Sequence, residues 1–255
     1  MAKARNFLAL NDPDPKEMSV VDHLDELRHR LIVCIITVAV GSVAGWFVKI
    51  PVYRGLVAPL LPYMHKSGAE HVTIVLPSIT AGFTLYLKLS IAVGIILGLP
   101  VLLYQIWMFI APAVSLQARR YAVPFVLVGI LLFLVGGTVG YFIFPRVVSF
   151  LVSISTGLEG AQFFLPLDAY VAQFALVMVI FGAVFEMPVV LTFLAMIGIT
   201  SSRWLRSKRK YAGMLGLIGA MIITPGADPF TPFITAGVVY LLYEASIISV
   251  RLLHR

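Results

Sequence analysis

From Ile79 to Ile110 the chain carries one charged side chain, Lys88, in an otherwise continuous apolar run. A run longer than the roughly 20 residues needed to cross a bilayer, with no polar and apolar alternation, restricts the segment to a membrane-spanning helix. The other apolar runs are Leu31 to Val48, Tyr121 to Phe150, Ala169 to Ile199, Tyr211 to Ile223 and Phe230 to Leu252. With 60% hydrophobic and 12% charged residues, the chain is far more apolar than a soluble domain. The expected fold is an all-α integral membrane protein of six transmembrane helices, the fifth and sixth short. The three longest runs need tilts or bends, for which Pro100, Pro124 and Pro188 are candidates that would curve the bundle into a cup.

Residues 1–19 read as a flexible cytoplasmic tail, because the stretch is polar, holds Asn11-Asp12-Pro13-Asp14-Pro15 and lacks the apolar core of a cleavable signal. Residues 20–255 form one six-helix transmembrane domain. With six crossings, fourteen basic residues, among them Arg28, Arg30, Arg119, Arg120 and the Arg203 to Lys210 group, fall on one side. Lys49, Arg54, Lys66 and Arg146 fall on the other. That imbalance places both termini in the cytoplasm. The net charge of +7 is concentrated at span ends, where it meets anionic lipid, and nucleic-acid binding is not expected.

Signatures of catalysis are missing from the sequence: there is no nucleophile elbow, no His-Glu-x-x-His, no Walker loop and no paired Cys. The lone Cys34 excludes a disulfide framework, and all five His lie outside the apolar runs, so no metal or other cofactor is expected. Transport, channel activity or partner recognition remain. The stretch Asp22 to Arg30, charged and helix-forming, abuts the first span as a docking surface would. Within it, Glu26 has two readings: an exposed i,i+4 pair with Arg30, or an acceptor for an arginine-bearing ligand, since a carboxylate takes a guanidinium in a bidentate pair. Glu186, between Phe185 and Met187 inside the fourth run, is costly there unless protonated, partnered or hydrated, and marks a functional position. Gln105 is its expected partner or neighbour.

Three segments carry a resemblance: His23-Leu24-Asp25-Glu26-Leu27-Arg28, then Pro100-Val101-Leu102-Leu103-Tyr104-Gln105-Ile106-Trp107-Met108-Phe109-Ile110-Ala111-Pro112-Ala113, then Phe181-Gly182-Ala183-Val184-Phe185-Glu186-Met187-Pro188. In order and spacing they resemble the TatC family, the receptor subunits of the twin-arginine protein translocase, over nearly the whole chain. The resemblance implies binding of twin-arginine signal peptides of folded precursors, recruitment of single-span TatA or TatB-type partners, self-association, and export driven by the proton-motive force across a bacterial or archaeal plasma membrane. It implies a signal-peptide surface of Leu24, Asp25, Glu26, Arg28, Phe109, Gln117 and Arg119, with Gln105 and Glu186 as intramembrane polar positions. Met221, Thr224 and Asp228 would dock a partner helix. Two positions depart from the family: Ala118 stands where a Glu usually precedes the basic pair, and Pro232 where a Gln is common. Asp228-Pro229 also fits a local helix cap. Tyr170 reads as an interfacial anchor, and Pro51, Pro59, Pro62 and Pro77 as a rigid cap in the first long connection. A proton-coupled secondary transporter using Glu186 is the rival reading, opposed by the lack of a visible internal repeat.

Overall fold

The computed structural model describes residues 20–60, 72–110, 122–156, 163–223 and 230–253. The N-terminal tail, Gln117, Ala118, Arg119, Thr224 and Asp228 lie outside the described residues. The elements in chain order are α1 (Val20–Val57), β1 (Val72–Val75), α2 (Ala81–Ile110), α3 (Ala122–Thr156), β2 (Phe163–Pro166), α4 (Leu167–Phe185), α5 (Met187–Met196), α6 (Ser202–Ser207), α7 (Arg209–Ile223) and α8 (Phe230–Leu253). Among the described residues, five helical segments are long and apolar enough to cross a membrane: α1, α2, α3, the α4–α5 pair and α8. At 15 residues α7 would rise only about 22 Å against a hydrocarbon core of about 30 Å. It is the short crossing, and α8, at 24 residues, is the next shortest.

The first helix departs from expectation. It runs 38 residues, from the charged stretch through the apolar run and on past Pro51 to Val57, so Pro51 belongs to the helix and not to a loop. Two tyrosines explain the extension. The last carbonyls of a helix have no partner within it, and here Tyr141 Oη donates to Gly55 O at 3.0 Å and Tyr170 Oη to Leu56 O at 3.3 Å. Tyr170 is therefore buried in the core and is not an interfacial anchor. Around it, Phe144 and Phe174 stack with centroids 5.0 Å apart, against Leu56, Leu85 and Leu89.

The three candidate bends behave differently. Pro188 splits the fourth span into α4 and α5, because it has no N–H to offer Val184 O one turn back; the turn before it tightens, with Glu186 N donating to Ala183 O at 3.1 Å. Pro100 sits inside an unbroken α2. Pro124 falls in the first turn of α3, where a missing N–H leaves no bond unmade, and the interior proline of that helix is Pro145. Parallel pairing of β1 with β2, with Val72 opposite Phe163 and Val75 opposite Pro166, joins two connections at the end opposite Glu26. This ribbon was not anticipated from the apolar runs, which report spans and say nothing of pairing between connections.

Helices α1 and α2 share the most extensive contact in the fold. Their sequences place Gly41 and Gly45 on one and Gly94 and Gly98 on the other, each pair four residues apart, so backbones approach closely. A Cβ on Gly94 would stand 2.6 Å from Ser42 N and 2.7 Å from Val38 O, and one on Gly41 would stand 2.7 Å from Gly94 O. This crossing fixes how the first residues of α1 meet the last residues of α2.

Candidate functional site

His23, Glu26 and Arg30 recur at i, i+3 and i+7 and so share one face of α1. Gln105 and Phe109, four apart, share a face of α2, while Leu103 and Trp107 take the opposite face, buried in the bundle. Trp107 packs against Phe125 of α3 and Phe193 of α5, with ring centroids 4.9 and 5.2 Å away. With that side anchored, Gln105 and Phe109 turn toward α1.

The two faces meet. Phe109 stacks on His23, with centroids 4.5 Å apart and planes inclined by 18°. Arg30 Nε donates to Glu26 Oε1 at 3.1 Å, its Nη2 donates to the same oxygen, and its Nη1 donates to Gln105 Oε1 at 3.2 Å. Glu26 Oε2 is buried and accepts no hydrogen bond from the described residues; His23 Nδ1 stands 4.0 Å from it. The Glu26 and Arg30 side chains are 20% and 17% exposed. The arrangement is thus a half-used carboxylate beside an aromatic pair, able to take one further charge-assisted hydrogen bond.

Of the residues named from the sequence, Glu26, Phe109 and Gln105 come together. Gln105 faces α1 and bonds Arg30, so it is not the hydrogen-bond partner of Glu186. Leu24, Asp25 and Arg28 lie on the other side of α1, exposed. His23 and Arg30 were not named as site members, although their spacing to Glu26 carries the signal.

Glu186 sits at the α4–α5 break, and neither carboxylate oxygen has a hydrogen-bond partner among the described residues. A Cβ on Gly129 of α3 would stand 3.0 Å from its Oε2, so a glycine there leaves the carboxyl its room. Farther along, α7 exposes Met214, Leu215, Ile218, Met221 and Ile222. An apolar groove of about 570 Å³ runs between α5, α7 and α8, lined in part by Met187, Leu191, Leu215, Gly216 and Val239. Arg209 and Glu244 clasp α7 to α8 with a 2.6 Å ion pair.

Comparison with known proteins agrees over most of the chain. The family model described as "Sec-independent protein translocase protein (TatC)" matches residues 22–237. The chain is 38% identical over 231 residues to the Sec-independent protein translocase protein TatC of Desulforapulum autotrophicum, covering 90% of this chain and 83% of that protein. To the TatC of Aquifex aeolicus it is 38% identical over 240 residues, covering 93% and 97%. To that of Escherichia coli it is 33% identical over 245 residues, covering 96% and 91%. A crystal structure of the twin arginine translocase receptor TatC shares its fold with a TM-score of 0.78 and 36% identity, covering 91% of this chain and all of that one. With its apolar helices, its fold and its motifs in agreement, the chain is an integral membrane protein of the TatC family, the Sec-independent protein translocase proteins.

Proposed function

We propose that this chain is the receptor for twin-arginine signal peptides, and that the paired arginines of the peptide are recognised where α1 meets α2. One observation carries the reading: Glu26 keeps a buried oxygen without a partner among the described residues, beside the Phe109–His23 stack. A guanidinium forks onto a carboxylate and lies flat on aromatic faces, whereas an ammonium ion acts as a point charge. The family resemblance adds Gln117 and Arg119, which follow Phe109 in the sequence, to the peptide-binding residues. The test is titration of the purified full chain in nanodiscs with a synthetic twin-arginine peptide and its twin-lysine counterpart. Preference for the arginine form supports the reading, and equal affinity for both removes it.

The receptor does not itself catalyse a reaction; with single-span TatA or TatB-type partners, and with further copies of itself, it supports export driven by the proton-motive force. Partner helices dock along the exposed apolar side of α7 near Met221, and the family resemblance adds Thr224 and Asp228, which follow α7 in the sequence. The protein resides in a bacterial or archaeal plasma membrane with both termini in the cytoplasm, which puts the Glu26 site on the side where precursors are made. A reporter fused after Arg255 is expected to read as cytoplasmic, and one inserted between Gly226 and Asp228 as external. A cytoplasmic signal at Gly226 would make α7 re-entrant.

Glu186 serves as a polar fixture at the α4–α5 break. Glu186→Gln keeps its shape and hydrogen-bonding capacity, so folding, peptide binding and a measurable fraction of export are expected to persist. Glu186→Leu is expected to be worse. Equal and complete loss of export in both variants would mean that the group must titrate, and would favour the proton-coupled transporter instead.

A further inference from the structure

Arg30 stands where a ligand's arginine would be expected. Two of its N–H groups go to Glu26 Oε1, and a third goes to Gln105, seventy-five residues away on another helix. An i,i+4 pair on a free helix is weak and mobile. This one is pinned from α2. The pinning is incomplete in one respect: among the described residues Glu26 Oε2 is left buried and unpaired, so they satisfy only half of the carboxylate.

We propose that Arg30 is a built-in occupant of the receptor carboxylate and determines its discrimination between arginine and lysine. The inference rests on the reading of Glu26 as the acceptor of the peptide's arginines. A lysine ammonium reaching Oε2 would make one bond while Arg30 stayed in place, and would bear the repulsion of a second cation on the same carboxylate. A guanidinium forks across both oxygens, replaces the two bonds Arg30 makes, and drives the Arg30 side chain out toward water. The resident cation therefore penalises a point charge more than a fork. Specificity of this kind comes from a repulsive element as much as from an attractive one.

The experiment compares twin-arginine and twin-lysine peptides on the full chain in nanodiscs, in the parent and in Arg30→Gln, Gln105→Leu and Glu26→Gln. Arg30→Gln is expected to bind both peptides more tightly, with the larger gain for the lysine form, about tenfold, so that the preference narrows. Gln105→Leu keeps the charge but releases the pin, and is expected to narrow the preference in the same direction by a smaller factor. It decides the matter if Arg30→Gln does not fold. Unchanged or widened preference in these two variants overturns the role of Arg30. If that happens while Glu26→Gln still loses binding, the receptor reading stands and only the inference about Arg30 falls. If Glu26→Gln binds like the parent, the receptor reading at this site falls too.

Discussion

Gly94→Leu is expected to abolish both the stability of the solubilised protein and its binding of a twin-arginine peptide. A side chain at this position meets backbone atoms of Ser42 and Val38 at 2.6–2.7 Å, contacts that a rotamer change cannot relieve. Overpacking a well-packed contact costs about 1–3 kcal/mol and occasionally more, and here the neighbours are backbone atoms, which puts the cost at the upper end. The damage reaches the site because α1 and α2 present its two halves, Glu26 with Arg30 on one and Gln105 with Phe109 on the other. Gly237→Leu is the control, since a Cβ at Gly237 meets nothing within 4 Å. Thermal aggregation and peptide binding, measured on both variants, are expected to fail together at position 94 and to hold at 237. A stable Gly94→Leu protein would show that the close crossing of α1 and α2 does not organise the bundle.

Glu26→Gln is expected to weaken twin-arginine peptide binding by roughly tenfold to a hundredfold while the protein remains inserted. The amide keeps the size of the group but loses its charge, and hydrogen bonds to a charged group contribute about 1.5–3 kcal/mol. Neutralising Glu26 also leaves Arg30 without its ion-pair partner, held among the described residues only by Gln105, and adds an uncompensated cation to the proposed recognition surface. The loss is expected to be the larger because Ala118 stands where the family resemblance implies a second acid. Ala118→Glu is accordingly expected to strengthen binding in the parent and to restore part of it in Glu26→Gln. Peptide crosslinking that is the same in Glu26→Gln and the parent would remove the carboxylate from the recognition step.

The crossings were legible because a bilayer rewards only one pattern, a long apolar run, and α2, α3 and the α4–α5 pair follow it closely. Pro188 was legible as a break for a covalent reason, the missing N–H. Pro51 was misleading by the same logic: a proline usually ends a helix, but two tyrosines distant in sequence satisfy the carbonyls beyond it. Glu26 and Phe109 stood out through their neighbours in the chain, whereas the bond from Arg30 to Gln105 is a product of tertiary packing that no local pattern contains. The paired glycines of α1 and α2 were written in the sequence at the spacing helix contacts use, yet only the structure shows which pair faces which. The burial of Tyr170 follows from the extension of α1 and was unreadable without it.

The claim that arginine recognition occurs where α1 meets α2 is tested most directly by placing a photoreactive amino acid at position 109 of the full chain in membranes and crosslinking a precursor labelled beside its twin arginines. A crosslink at that position, competed away by excess twin-arginine peptide and not by twin-lysine peptide, is the predicted result. A precursor that crosslinks instead from position 79, at the opposite end of the bundle, and is silent at 109 would contradict the account.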